Sequence, residues 1–255
     1  MPTLSIKSHG ISDVGLKRDN NEDVFRLLEK ECFFVLADGM GGHNAGEVAA
    51  SKAVEYMCSA MQSLLISPHS SLSTDDLKSH LFALVENTNL WVHHLGASDP
   101  SLFGMGTTLS SVLFFNNKII YSHVGDSRIY RFREGKLTQL TKDQVISSAI
   151  PYDIDKDPTT QEFDDRIQSS KKMLAQAIGT SILVAPEVGE DEAKLGDLYL
   201  ICSDGLSDCV EDETIESALR HSHSLDESGE ELISMAKAGG GHDNITLVLV
   251  QVTPK

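Results

Sequence analysis

Asp38, Asp126, Asp204 and Asp243 share one sequence grammar. Asp38 follows the apolar run FFVLA, Asp126 follows IIYSHVG, Asp204 follows LYLICS, and Asp243 comes immediately before NITLVLVQV. Short runs of this kind, bounded by turn residues, predict buried strands, so the four carboxylates are expected at four strand ends. A carboxylate on the rim of a core is costly unless a charge compensates it, and Gly39, Gly41 and Gly42 strip side chains from the backbone beside Asp38. Glu22 and Asp23 precede the apolar Val24, Phe25, Leu27 and Leu28 and join the set, with Arg18 on the loop before them. A solvated loop is an equally open reading for those three charges. An all-oxygen set without a Cys/His cluster selects Mg²⁺ or Mn²⁺ over zinc. Two such ions about 4 Å apart, sharing a bridging aspartate, activate water and clamp the oxygens of an in-line displacement, the requirements of phosphoester hydrolysis. Glu22 can act through a water, and Arg18 offers a planar fork that matches phosphate oxygens.

Other readings of the same residues fail on chemistry. Gly41 to Gly46 has P-loop spacing, but Glu47 and Val48 stand where Lys and Ser/Thr are required. A dinucleotide fingerprint starting at Gly39 would need its third glycine at Asn44. Asp153, Asp155 and Asp157 imitate a calcium loop, yet Pro158 replaces the turn glycine and Asp164 the final glutamate. His93 and His94 are expected to cap the end of a helix, and His221 and His223 to be solvated.

Lys+Arg 21 against Asp+Glu 38 gives a net charge of −17 over 255 residues, which repels nucleic acid and anionic membrane surfaces and attracts divalent cations. Cys32, Cys58, Cys202 and Cys209 lack C-x-x-C spacing, which points to a reducing cytoplasm. The start MPTLSIKSHG carries no apolar leader and no apolar run approaches a spanning helix, so a protein without membrane insertion is expected.

The elements that must position these groups follow from periodicity. Leu4 to Ser8 predicts a strand, followed by a turn-rich stretch. Ala50, Ala53, Val54, Met57, Met61, Leu64 and Leu65 form one helical stripe; Leu77, Leu81, Leu84, Val85, Thr88, Trp91, Val92 and Leu95 form a second, behind a capping box of Ser73 and Asp76. Asn116-Asn117 and Glu134-Gly135 are gaps only hairpins can close, so the sheet is antiparallel. Met173 to Ile178, Leu183 to Val188 and Leu198 to Cys202 predict further strands, DETIESALR and Asp226 to Ala238 two helices, and Ile245 to Val252 a strand buried on both faces. No linker divides the chain, so residues 1–255 are expected as a single domain. The polar, proline-broken stretch 144–172 is expected to form a mobile flap over the surface.

Six blocks in order then carry a resemblance: G-x-x-R-x-x-N-E-D at Gly15 to Asp23, DGMGGHNAGE at 38–47, GMGTT at 104–108, VGDSRIY at 124–130, LICSDGLSD at 200–208 and GGHDNIT at 240–246. From about residue 8 to residue 252 the chain resembles the bacterial form of the protein phosphatase 2C (PP2C, PPM) family of metal-dependent serine/threonine phosphatases. That resemblance implies an α+β fold, a four-layer α-β-β-α sandwich of two antiparallel sheets flanked by helices. It implies two Mg²⁺ or Mn²⁺ ions: Asp38 bridging both, the Gly39 carbonyl on one, Asp204 and Asp243 on the other, and Glu22 acting through water. Asp126, with Asp204, would hold a third, weaker ion, and Arg18 the substrate phosphate. His43 is the candidate general acid toward the leaving oxygen, against a purely structural hydrogen bond. The implied partners are phosphorylated protein substrates, those of a cognate Ser/Thr kinase, met by a monomeric enzyme.

The chain departs from the family pattern in two places. Gln144-Val145 stands after LTKD where a histidine-serine pair is usual, and KMLAQAIG replaces a segment that usually contains arginine. A catalytically silent PP2C-like regulatory binding module is the competing reading; it predicts lost metal ligands, and none is lost. A metal phosphodiesterase is disfavoured by the resemblance.

Overall fold

A computed structural model describes residues 4–41, 45–66, 72–146 and 173–255. Strand β3 (Phe33–Met40) shows why the chain is layered. Phe33, Val35 and Ala37 enter one hydrophobic core, while Phe34 and Leu36, pointing the other way, enter another. Strand β13 (Ile245–Pro254) repeats the pattern, with Leu247 and Leu249 on one face and Val248, Val250 and Val252 on the other. A strand apolar on both faces needs a layer on each side, and two such strands in different sheets require four layers.

The first sheet has six strands. Along its path β11 (Glu187–Glu192), β6 (Lys118–Val124), β5 (Leu109–Phe115), β3 and β2 (Asp23–Leu28) are neighbours, and the short β4 (Gly106–Thr107) also pairs with β3. The second sheet runs β1 (Leu4–Asp13), β13, β12 (Leu198–Cys202), β7 (Arg128–Arg133), β8 (Lys136–Gln139). All these pairings are antiparallel. Both expected hairpins form: Asn116 and Asn117 take φ of 49° and 61°, and Glu134 and Gly135 take 51° and 78°, the left-handed pair that matches strand twist.

Helices α1 (Ala45–Ile66) and α2 (Thr74–Ser98) cover the first sheet through Ala50, Ala53, Val54, Met57, Met61, Leu77, Leu81, Val85 and Val92. The Ser73–Asp76 capping box is present in both directions. On the second sheet lie α3 (Asp204–Ser207), α4 (Asp212–His221) and α5 (Leu225–Ala238), packing Leu206, Ile215, Leu219, Leu232 and Ile233 against Leu200 and Leu247. Burial of each such aliphatic side chain contributes about 1.5–3 kcal/mol. Between the sheets Phe34, Val112, Ile129, Tyr199, Ile201 and Val248 close a third core. The α-β-β-α sandwich is therefore observed. No helix among the described residues is long and apolar enough to cross a membrane, and all four cysteines are free.

Four sequence expectations need correction. Strand β1 extends to Asp13, because Ser8 to Asp13 continues to pair with β13 as far as Ile245. Met173 to Ile178 holds only the two-residue strand β10 (Met173–Leu174), paired with β9 (Val145–Ile146), and a single bridge from Ile178 to Thr107. The strand expected at Leu183 to Val188 lies further on, at Glu187–Glu192; it is a charged edge strand, and Leu183 is 82% exposed. The helix expected to end near His93 and His94 runs to Ser98, and the His93 ring meets the Gly179 carbonyl at 2.9 Å instead of capping its own helix. His43, the calcium-like aspartates and 147–172 of the flap lie outside the described residues.

His123 sits between the sheets, with Nδ1 3.0 Å from Ser110 Oγ and Nε2 buried without a hydrogen-bond partner among the described groups. Burial pushes this imidazole down from 6.5 to about 4. A depressed histidine contributes stability that is complete above the unfolded value and is lost as pH falls through the folded one. Between pH 6.5 and about 4 the melting temperature should therefore fall, and His123→Gln should flatten that slope. An unchanged slope in the variant would assign the acid sensitivity to other groups.

Candidate metal centre

The carboxylates reach one end of the sandwich from both sheets. The β2–β3 register places Asp23 directly opposite Asp38. Asp126 follows β6, Asp204 opens α3 directly after Ser203 at the end of β12, and Asp243 precedes β13. The Asp38 backbone is clamped on both sides: its N–H donates to Thr108 Oγ1 at 2.9 Å, and its carbonyl accepts from Thr108 N–H and Thr107 Oγ1, each at 2.8 Å. Thr108 Oγ1 in turn meets Ser127 Oγ at 2.7 Å, beside Asp126.

Glu22 is held by backbone rather than by charge. Its N–H donates to Asn244 Oδ1 at 2.8 Å, and its carbonyl accepts from Gly39 N–H at 3.2 Å. Asn244 spends its amide on the carbonyls of Val14 and Asn20, at 3.0 and 2.8 Å, fixing the loop that carries Arg18. Gly46 is required by close approach, since a Cβ there would collide with Glu22 Oε2 and with the Gly39 carbonyl carbon. At Gly46 the backbone thus makes room for the Glu22 carboxylate.

Electrostatics define the centre. Burial, then the neighbouring Asp23, Asp204, Asp243 and Asp126, holds the Asp38 carboxyl well above the usual range, although Asp38 keeps some surface open to solvent. Asp204 is pushed up to about 8 by burial and then by Asp126 and Asp243. Asp23 rises to about 6 through burial, opposed by hydrogen bonds from Thr246 and Ser203; the Ser203 hydroxyl donates to Oδ2 at 2.8 Å. These carboxylates crowd one another, and a cation between them would relieve both the repulsion and the desolvation.

The donor chemistry fits hard cations. All candidate ligands are oxygens, and Asp23 Oδ1 and Asp204 Oδ1 are buried with no hydrogen-bond partner among the described residues, a costly arrangement in a folded core. Among the described residues, no group of three or more His, Cys, Asp or Glu side chains is gathered as a metal cage by itself. A set completed by a backbone carbonyl and by waters has no need of a closed cage.

Arg18 donates from Nη2 to Asp243 Oδ2 at 2.6 Å, with half of its side chain open to solvent. Burial opposes its charge, but Asp243, then Glu22 and Asp38, outweigh that and hold the guanidinium more firmly protonated. The structure therefore brings Arg18, Glu22, Asp38, Asp126, Asp204 and Asp243 into one electrostatic neighbourhood, with Gly39 beside Asp38. Sequence reasoning gave no separate role to Asn244, Ser203, Thr107, Thr108 or Ser127. Each adjoins a flagged aspartate or lies in GMGTT, and that adjacency was the available signal.

An antiparallel sandwich with acidic strand ends from both sheets and an arginine at one edge defines a class of protein with a carboxylate-rich, all-oxygen centre. Within that class, the chain belongs to the protein phosphatase 2C family, whose model matches residues 16–249. It is 39% identical over 254 residues to the serine/threonine protein phosphatase PstP of Mycobacterium tuberculosis, covering 98% of this chain and 46% of that protein, so it spans about half of that relative's length. To the protein phosphatase PhpP of Streptococcus pneumoniae it is 31% identical over 245 residues, 95% of this chain and 96% of the relative. The crystal structure of the PstP catalytic domain in complex with two manganese ions superposes with a TM-score of 0.79 at 37% identity, covering 98% of this chain and all of that one.

Proposed function

We propose that residues 1–255 act as a single phosphatase domain that hydrolyses phosphoserine and phosphothreonine monoesters on protein substrates, with Mg²⁺ or Mn²⁺ as cofactor. The observation that carries this reading is the convergence of Asp38, Asp126, Asp204 and Asp243, drawn from both sheets, with Arg18 paired to one of them. Asp38, the Gly39 carbonyl, Asp204 and Asp243 would hold two ions, with Glu22 acting through water; Asp126 and Asp204 would hold a weaker third. The chemistry such ions supply is acidification of water and neutralisation of charge on phosphate oxygens.

The chain's own residues do the rest. Thr107 and Thr108 fix the Asp38 backbone, Asn244 fixes Glu22 relative to the Arg18 loop, and Ser203 orients Asp23 behind the ligands. Arg18, solvent-facing, receives the phosphate oxygens through its planar fork and orients the ester for in-line attack.

The net charge of −17 supports protein rather than nucleic-acid substrates. Free cysteines support a cytoplasmic site of action, where the substrates would be products of a Ser/Thr kinase and the enzyme a monomer. The test is release of phosphate from a phosphothreonine peptide by purified protein with Mn²⁺ and with chelator. Turnover with metal and none with chelator is expected; full turnover in chelator would overturn the mechanism.

A further inference from the structure

We propose that Gln144 and Gln176 form an amide clasp that positions Asp126, and that this clasp sets how tightly the weaker ion beside Asp126 and Asp204 is held. The inference rests on the reading of Asp126 as a metal ligand. It concerns two residues that lie outside the ligand set and fall in the stretches where this chain departs from its family's pattern.

Gln144 holds the loop that presents Asp126 at two points. Its side-chain Oε1 accepts from Gly125 N–H at 2.9 Å, and its own N–H donates to the Gly125 carbonyl at 2.8 Å. Gly125 is buried and takes φ of 110°, and a Cβ there would collide with Thr108, so the loop is wedged between Thr108 and Gln144. The same Oε1 accepts from Gln176 Nε2 at 2.9 Å. Gln176 is fixed at its other end by a two-point amide contact: Nε2 donates to the Ala185 carbonyl at 2.8 Å and Oε1 accepts from Ala185 N–H at 2.9 Å.

The segment carrying Gln176 reaches both sides of the centre. Ala175 N–H donates to the Gln144 carbonyl at 2.7 Å, and two residues beyond Gln176 the Ile178 backbone exchanges hydrogen bonds with Thr107, at 2.8 and 3.1 Å. Thr107 Oγ1 donates to the Asp38 carbonyl. A strut of four residues, Ala175 to Ile178, therefore joins the Asp126 loop to the Asp38 strand. Ordering two glutamine side chains costs rotamer freedom, so such an arrangement persists only where its hydrogen bonds return more. Neutral amides also suit the place. An acidic group would add to the repulsion among the aspartates, and a basic one would compete with a cation for Asp126.

The experiment is Mn²⁺ titration calorimetry on the full chain, with hydrogen exchange of the Gly125 amide measured in the metal-stripped protein. Variants are Gln144→Leu, Gln176→Leu, the double variant, Gln144→Glu and Asp126→Ala. Asp126→Ala should remove the weakest class of Mn²⁺ sites. Gln144→Leu, which leaves the Gly125 N–H and a Gln176 amide hydrogen without their acceptor, should weaken that class about tenfold while leaving tighter classes unchanged, and should speed Gly125 exchange. Gln176→Leu should do the same to a smaller degree, and the double variant should be no worse than the sum of both, since the residues share one bond. Gln144→Glu keeps the acceptor and should restore exchange protection. If Asp126→Ala removes a class while both leucine variants bind Mn²⁺ as wild type, the clasp is refuted and the metal reading stands. If Asp126→Ala changes nothing, both fall. Equal weakening of all classes would likewise refute a positioning role specific to Asp126.

Discussion

Asp38→Asn should lower turnover of a phosphothreonine peptide by about a hundredfold or more while making the chelated protein more heat-stable. Both halves follow from the same geometry. Asp38 lies opposite Asp23 and is raised by burial and by four neighbouring aspartates, so its ionised form is disfavoured in the fold unless a cation is present. Asparagine keeps the size, the carbonyl oxygen and the backbone clamp to Thr107 and Thr108, but removes the charge that, on the proposed reading, would hold a shared cation. Loss of a group that acts mainly on the transition state is felt at about a hundred- to thousandfold or more. The stability half has a sign that can be checked. A carboxyl raised in the folded state contributes stability that is lost as pH rises above its unfolded value. The gain in melting temperature on Asp38→Asn should then be larger at pH 8 than at pH 5, about 2–4 °C for each kcal/mol relieved in a chain of this length. Calorimetric melting in chelator at both values reads it directly. A variant that is inactive and less stable at both would mean that Asp38 is a structural residue; one that retains wild-type rates would mean that it is no ligand.

How much of this was legible in the sequence depended on whether the deciding interaction was local. Phe33 to Ala37 announced a buried strand and Ile245 to Val252 a central one, because apolar residues on both pleat faces demand two covers, and the structure supplies a core on each face of both. The Asn116-Asn117 turn announced its hairpin because a two-residue gap favours positive-φ turns, which asparagine tolerates, and both asparagines take that conformation. Strand β11 was misplaced because its stability is not written in its side-chain period. Glu187 to Glu192 pairs through its backbone with β6, and its charges are met from elsewhere, Glu190 by Lys78 and Lys118 and Asp191 by Arg131. The apolar Leu183 that suggested an earlier strand points into solvent.

The candidate site divides the same way. Its aspartates were visible as strand ends, a property of adjacent residues. What holds them was not, because Asn244 reaches back 222 positions to Glu22 and Ser203 reaches 180 to Asp23. Gln144 and Gln176 were visible only as departures from a pattern, and their mutual bond across 32 positions gives those departures a common physical reading.

Arg18→Lys should raise KM for a phosphopeptide about tenfold, with kcat held within about threefold and the fold unaffected. Lysine preserves the charge that Asp243, Glu22 and Asp38 favour at this place, so long-range attraction for the phosphate survives. On the proposed reading, what disappears is a planar pair of donors that would grip two phosphate oxygens at once, about as fully with bound substrate as with the transition state, and loss of uniform binding appears in KM. Stability should change little. The 2.6 Å pair with Asp243 is half open to solvent on the arginine side, and exposed pairs of that kind contribute roughly 0–1 kcal/mol. Arg18→Ala should add a fall in kcat, because the Asp243 carboxylate then faces the centre without its counter-charge. Steady-state kinetics on one phosphothreonine peptide at saturating Mn²⁺ separates the cases. A raised KM in the lysine variant places the guanidinium on the substrate phosphate. An unchanged KM with reduced kcat would confine Arg18 to its bond with Asp243, leaving the phosphate to be held by the cations alone.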